Sequence, residues 1–164
     1  MRAAGHRLAV AAVALACTIT ATAAARPAPG ELPAADKRTL AELALQWAVD
    51  GGLADFTRVK DPAKLLVSTA NLGPKMVLKL PGRSVSILSP ARLQAQADNS
   101  GDFLYFRFGP FRRDQQGTRV TLSLAWAVST HSSTLYLSGA GATLHFEKHA
   151  GKWRLLPVTD RWMS

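Results

Sequence analysis

Residues 118–129, TRVTLSLAWAVS, restrict this chain more than any other stretch. Val120, Leu122, Leu124, Trp126 and Val128 alternate with Thr121, Ser123, Ala125 and Ala127. A period of two places the large apolar side chains on one side of a strand and the small or polar ones on the other. A strand of that length needs partners on both edges and a layer to cover its apolar face. The neighbouring sequence supplies candidates. Phe103 to Phe108 (FLYFRF), Thr134 to Leu137, Thr143 to Lys148 and Trp153 to Val158 all read as strands. A tight turn at His149-Ala150-Gly151 divides the last two, and short connections favour antiparallel pairing. Gly139 and Gly141 predict a bulge or bend before Thr143.

The first half supplies the cover. Leu40, Leu43, Ala44 and Trp47 recur at helical spacing, which predicts a helix from Lys37 to Asp50. Asp36 stands where an N-cap is expected, and Gly51-Gly52 stops the helix. Leu65–Thr69 and Val85–Leu88 read as short strands, with an extended piece at Met76–Leu80 between them. Ser89-Pro90 then opens a short helix running to about Ala97, with serine as cap and proline at the first position. The expected fold is a single α+β domain over residues 37–164. It is a curved antiparallel sheet of four to six strands, with one long and one short helix packed on one face.

The first 25 residues read as a separate object. Arg2 and Arg7 precede an apolar run from Leu8 to Cys17, and small residues lead to Ala23-Ala24-Ala25. This is the pattern of a secretory signal peptide, and the run is shorter than the ~20 residues that span a bilayer. The expectation is an exported protein, periplasmic or secreted, with no transmembrane helix in the mature chain. Cys17 lies within this segment, and Ala14 three positions before it argues against a lipoprotein anchor. With the only cysteine there, the remainder has no means of forming a disulfide or a thiolate metal site. Residues 26–36 (RPAPGELPAAD) read as a linker. The net charge of +9 falls only by the two leader arginines, so anionic partners are favoured: a small anionic molecule or an envelope surface. The cations are scattered, Arg112-Arg113 being the densest cluster, so nucleic acid is not expected.

The closing hairpin carries a resemblance. Leu144, Phe146, Lys148, Gly151, Lys152, Trp153 and Leu155 form an apolar-x-apolar-x-Lys stretch, a glycine turn, and Lys-Trp followed by an apolar residue. This resembles the last hairpin of the nuclear transport factor 2-like (cystatin-like, cone-shaped) α+β fold. The family's three N-terminal helices are not evident here. The chain also resembles small exported bacterial proteins of unknown function that share LSPARLQAQADNSGDFLYFRF. The cone-shaped fold implies a site on the concave sheet face, and it serves isomerases, dehydratases and non-catalytic binding modules alike.

Alternation nominates that site. Tyr105 and Arg107 stand opposite Leu104, Phe106 and Phe108 along one strand, and His145 and Glu147 oppose Leu144 and Phe146 along another. If the two polar faces coincide, these four residues form a cluster able to hold an anion or move a proton. Arg107, His145 and Trp126 are the candidate ligand-binding residues. No metal motif is present, and His145 and His149 are not brought together by a strand and turn. Asp98 and Asp102 flank Asn99-Ser100-Gly101 and read as turn formers rather than Ca²⁺ ligands. No nucleophile elbow or phosphate loop is found, and no cofactor is expected. The favoured reading is an exported binding or accessory module without catalysis. The alternatives are a small isomerase or hydrolase using the polar cluster, and a basic protein adhering to anionic envelope surfaces.

Overall fold

The computed structural model describes residues 32–134 and 139–163, with backbone alone for Ala54 and Asp55. The leader expected over 1–25, most of the linker and the strand expected at Leu135–Leu137 lie outside those residues.

The described chain is α+β, built on one mixed sheet. Its elements in order are α1 (Ala34–Trp47), β1 (Lys64–Ser68), β2 (Ser84–Leu88), α2 (Pro90–Ser100) and β3 (Phe103–Phe108). Then follow β4 (Arg112–Asp114), β5 (Gly117–Ala127), β6 (Ala140–His149), β7 (Lys152–Leu155) and β8 (Asp160–Met163). The strand order is β2-β1-β3-β5-β6-β7, with β4 also paired to β5 and β8 to β6.

Among the described residues the sheet's main path has six strands, the upper end of the four to six expected. β4 and β8, off that path, bring the total to eight, and the sheet is not wholly antiparallel. From β3 onward every pairing is antiparallel, as short connections dictate. β1, however, runs parallel to both β2 and β3. Parallel neighbours need long crossovers, and here residues 69–83 and then α2 serve as those crossovers. The expected extended piece at Met76–Leu80 belongs to the first of them and forms no strand beyond a single Leu80–Arg83 bridge.

The two crossovers step across the sheet in opposite directions. With one preferred hand, they must then pass over opposite faces. Burial agrees with this. Leu72, Leu78 and Leu80 of the first crossover join α1 residues Leu40, Ala41, Ala44 and Leu45 in one core with Phe106, Phe108, Val120, Leu122, Leu124, Leu144 and Phe146. Leu93 and Ala97, the buried residues of α2, lie outside that core, as does Ala127. The expectation of both helices on one face is therefore corrected: α1 covers the core face, and α2 does not join it.

Local signals explain the element ends. Ser89 Oγ accepts from the Arg92 amide at 3.2 Å, and Pro90 occupies the first helical position, as read from sequence. In α1 the helix starts earlier than expected, with Pro33 in the capping position. Asp36 is not the N-cap but a first-turn residue, where negative charge suits the helix dipole. The buried stripe is centred on Ala41 and Leu45 beside Leu40 and Ala44, while Leu43 and Trp47 are only half-buried. The helix closes in a π turn, Ala48–Gly52, where Gly51 takes φ +98°.

The last hairpin forms, with His149 pairing with Lys152 across a turn in which Ala150 and Gly151 have φ of 47° and 78°, but its second strand ends at Leu155 rather than the expected Val158. Gly141 marks no bulge. It lies within β6 opposite Trp162 of β8, and a Cβ there would come within 2.3 Å of the indole. Its lack of a side chain is the seat for that ring. No described helix is long and apolar enough to cross a membrane.

A candidate anion-binding trough on the face away from α1

Strand register settles which side chains share a surface. Leu124 pairs with Phe106 and Leu144 with Val120, so these point into the core. Their neighbours point the other way: Tyr105, Arg107, Arg119, Thr121, Ser123, Thr143, His145 and Glu147.

All four candidate residues thus lie on one face, yet they do not form a cluster. Arg107 is opposite Ser123, whereas His145 is opposite Arg119, four residues further along β5 and one strand over. Ladder spacing puts their Cα atoms roughly 16 Å apart, and Tyr105 from Glu147 nearly ~30 Å. Arg107 stands exposed, while Tyr105, His145 and Glu147 are half-buried. Glu147 faces Arg154 of β7 in register. Trp126 cannot share a ligand with Arg107 and His145. It pairs with Leu104 on the core side, and the Arg58 guanidinium lies 5.9 Å from its ring centre.

The register instead assembles a group that alternation had left unread. Arg112 of β4 pairs directly with Arg119 of β5, and Arg119 directly with His145 of β6. Thr121 and Thr143, also a direct pair, lie one same-face step along. Pro110, Arg112, Arg119, Thr121 and Thr143 line an open trough of about 380 Å³. The bend at Gly109–Phe111 that makes room for it is held by the Gly109 amide, which donates to the Thr121 carbonyl at 2.8 Å. Continuing the alternation back from Thr121 by one step would have found Arg119.

The chemistry of this trough is that of a cation pair over hydroxyls. Arg119 Nε meets Asp114 Oδ2 at 2.7 Å across the β4–β5 turn. That contact orients the guanidinium, and one carboxylate does not exhaust its five N–H donors. Two forked guanidinium groups suit carboxylate or phosphate oxygens, and threonine hydroxyls can donate to the same anion. Asp160 of β8, opposite Thr143, closes the far edge with negative charge.

Other acids serve the fold. Asp36 Oδ1 accepts from Trp153 Nε1 at 2.9 Å and from Lys148 Nζ at 3.1 Å. The Trp153 hydrogen bond, with Lys148 and the more distant Arg113, holds its pKa below the ordinary 3.8 against the opposing effect of burial. Asp98 Oδ1 accepts from the Thr130 amide at 2.7 Å, and that bond leads in holding its pKa below 3.8 as well, with Gln94, the Thr130 hydroxyl and His131 assisting. Asp102 accepts from the Ser129 amide at 2.7 Å and from Ser132 Oγ at 2.6 Å. The expectation that Asp98 and Asp102 act as local turn formers is corrected: Asp98 lies within α2, and both bond the distant loop at residues 129–132. Among the described residues no three His, Cys, Asp or Glu side chains gather into a group that could hold a metal. No protein-family model matches this chain, and no curated protein or solved structure matches it.

Proposed function

We propose that the protein is an exported binding or accessory module, without catalysis, which holds a small anionic ligand in the trough beneath Arg112 and Arg119. The supporting observation is the direct cross-strand pairing of these arginines over the threonine floor. Like charges set opposite each other on a sheet are unfavourable for folding alone, so their placement beside a polar cavity favours an anion between them. An open trough, with Arg107 standing exposed outside it, gives no shelter for proton transfer, which favours binding over an isomerase or hydrolase. Export rests on residues 1–25, and the likeness of the closing hairpin to nuclear transport factor 2-like domains belongs to the same proposal.

Calorimetric titration with inorganic phosphate and with citrate at low ionic strength tests this reading. The wild type is expected to bind one equivalent of at least one of them. Arg119→Ala with Arg112→Ala should weaken binding by about 10–100-fold, the worth of one or two charge-assisted hydrogen bonds. Equal weakening by Lys152→Ala with Arg154→Ala, which lie on β7 outside the trough, would overturn it. That result would favour diffuse attraction of a basic protein to anionic surfaces.

A further inference from the structure

A second cavity lies elsewhere and has the opposite character. The start of α1 and the loop after β1 line an open groove of about 540 Å³, within the ~300–1,000 Å³ typical of small-molecule sites. It shares no lining residue with the trough. Its walls are Ala34 and Ala35 on the helix, and Leu72, Pro74, Met76 and Val77 on the loop. The two alanines leave space where larger residues would fill it. Val77 is 63 % exposed.

The loop wall is fixed at both ends. Asn71, at φ 62°, donates from Nδ2 to the Phe108 carbonyl at 2.8 Å. The Lys79 amide donates to Glu42 Oε1 on α1 at 2.9 Å. Between these anchors the Leu72 and Gly73 amides both donate to the Thr69 carbonyl. The groove is thus preformed, and a ligand entering it need not order the loop.

Among the described residues, the charged ones lining the groove are Arg38 and Lys75, both exposed cations, one on each wall. An apolar groove with positive charge from both sides complements one kind of molecule: an apolar tail carrying an anionic head. We infer that this groove binds a single-chain anionic amphiphile of the fatty-acid class. The chain lies against Pro74, Met76 and Val77, and the carboxylate sits between Arg38 and Lys75.

The test is calorimetric titration of the full protein with dodecanoate below its micelle concentration, beside octanoate, neutral dodecanol and phosphatidylglycerol vesicles. One dodecanoate should bind per protein, with affinity falling roughly fourfold for each methylene removed. Met76→Asp should weaken it more than tenfold, and Arg38→Ala with Lys75→Ala should erase the preference for dodecanoate over dodecanol. Thermal melts of both variants show whether they fold; Val77→Ser, at an exposed position, gives a milder second reading with a severalfold loss. Affinity indifferent to chain length, equal binding of dodecanol by the wild type, or binding to vesicles alone would overturn the inference. So would unchanged affinity in folded Met76→Asp or in Val77→Ser.

Discussion

The first turn of α1 and the last turn of α2 each present a carboxylate to the sheet region, but the two ties differ in reach and surroundings. Asp36 holds partners 112 and 117 residues away, Lys148 and Trp153, so one acid joins the first described helix to the closing hairpin. Asp98 reaches only to Thr130, 32 residues on, and secures the loop that leaves β5. Asp36 lies at a helix N-terminus, where the dipole favours its charge; Asp98 lies near a C-terminus, where it does not. Both acids are nevertheless held below the ordinary carboxylate pKa, Asp36 chiefly by an indole N–H and Asp98 chiefly by a backbone amide. The contrast shows that a lowered pKa reports hydrogen bonding to the charged form, not the amount of structure depending on it.

The largest effect should come from Asp36→Ala. It removes the acceptor for the Trp153 indole and the partner of Lys148, in a site where the Asp36 side chain is 24 % exposed. Expected destabilisation is about 1–3 kcal/mol, measured by urea unfolding at pH 7. Trp153→Phe, which removes the indole donor but spares Lys148, should cost less, and the double variant should cost less than the sum. Because the folded pKa is depressed, this stabilisation is fully present above 3.8 and is lost as pH falls through the lower folded value. The gap between wild type and Asp36→Ala should therefore narrow only in that acid range. A variant as stable as wild type at pH 7 would remove the distinction between the two ties.

Much of the sheet was legible because alternation is a local signal. Val120, Leu122 and Leu124 are core residues as their spacing demands, and β3 has the bounds read from FLYFRF. Ser89-Pro90 caps α2 as two adjacent residues can announce. What escaped depends on residues far apart in sequence. Nothing near Asp36 distinguishes a capping aspartate from a first-turn aspartate whose partner is Trp153. Likewise Arg107 and His145 point the same way by pattern, but register alone separates them and pairs His145 with Arg119. The parallel pairing of β1 with β2 and β3 follows from crossovers, which strand patterns do not encode.

Asp102 ranks second among the ties. It lies just before β3 and bonds both the Ser129 amide and the Ser132 hydroxyl in part-buried surroundings. Asp102→Ala should cost about 1 kcal/mol and should raise the hydrogen-exchange rate of the Ser129 amide well beyond that of core amides in β5. Unchanged Ser129 exchange would show that the loop is held by other contacts.

Asp98→Ala should have the smallest effect on global stability, because what it frees is the Thr130 end of an exposed loop rather than a join between distant elements. The melting temperature should stay close to wild type, while the Thr130 amide exchanges faster. Acid offers the same experiment without mutation: Asp98 keeps its bond above 3.8 and loses it as pH falls through its depressed folded value. Thr130 should then lose protection while amides of β5 and β6 keep theirs. If Asp98→Ala instead lowers the melting temperature as much as Asp36→Ala does, the loop is part of the cooperative unit. The distance a tie spans along the chain would then say nothing about how much of the fold rests on it.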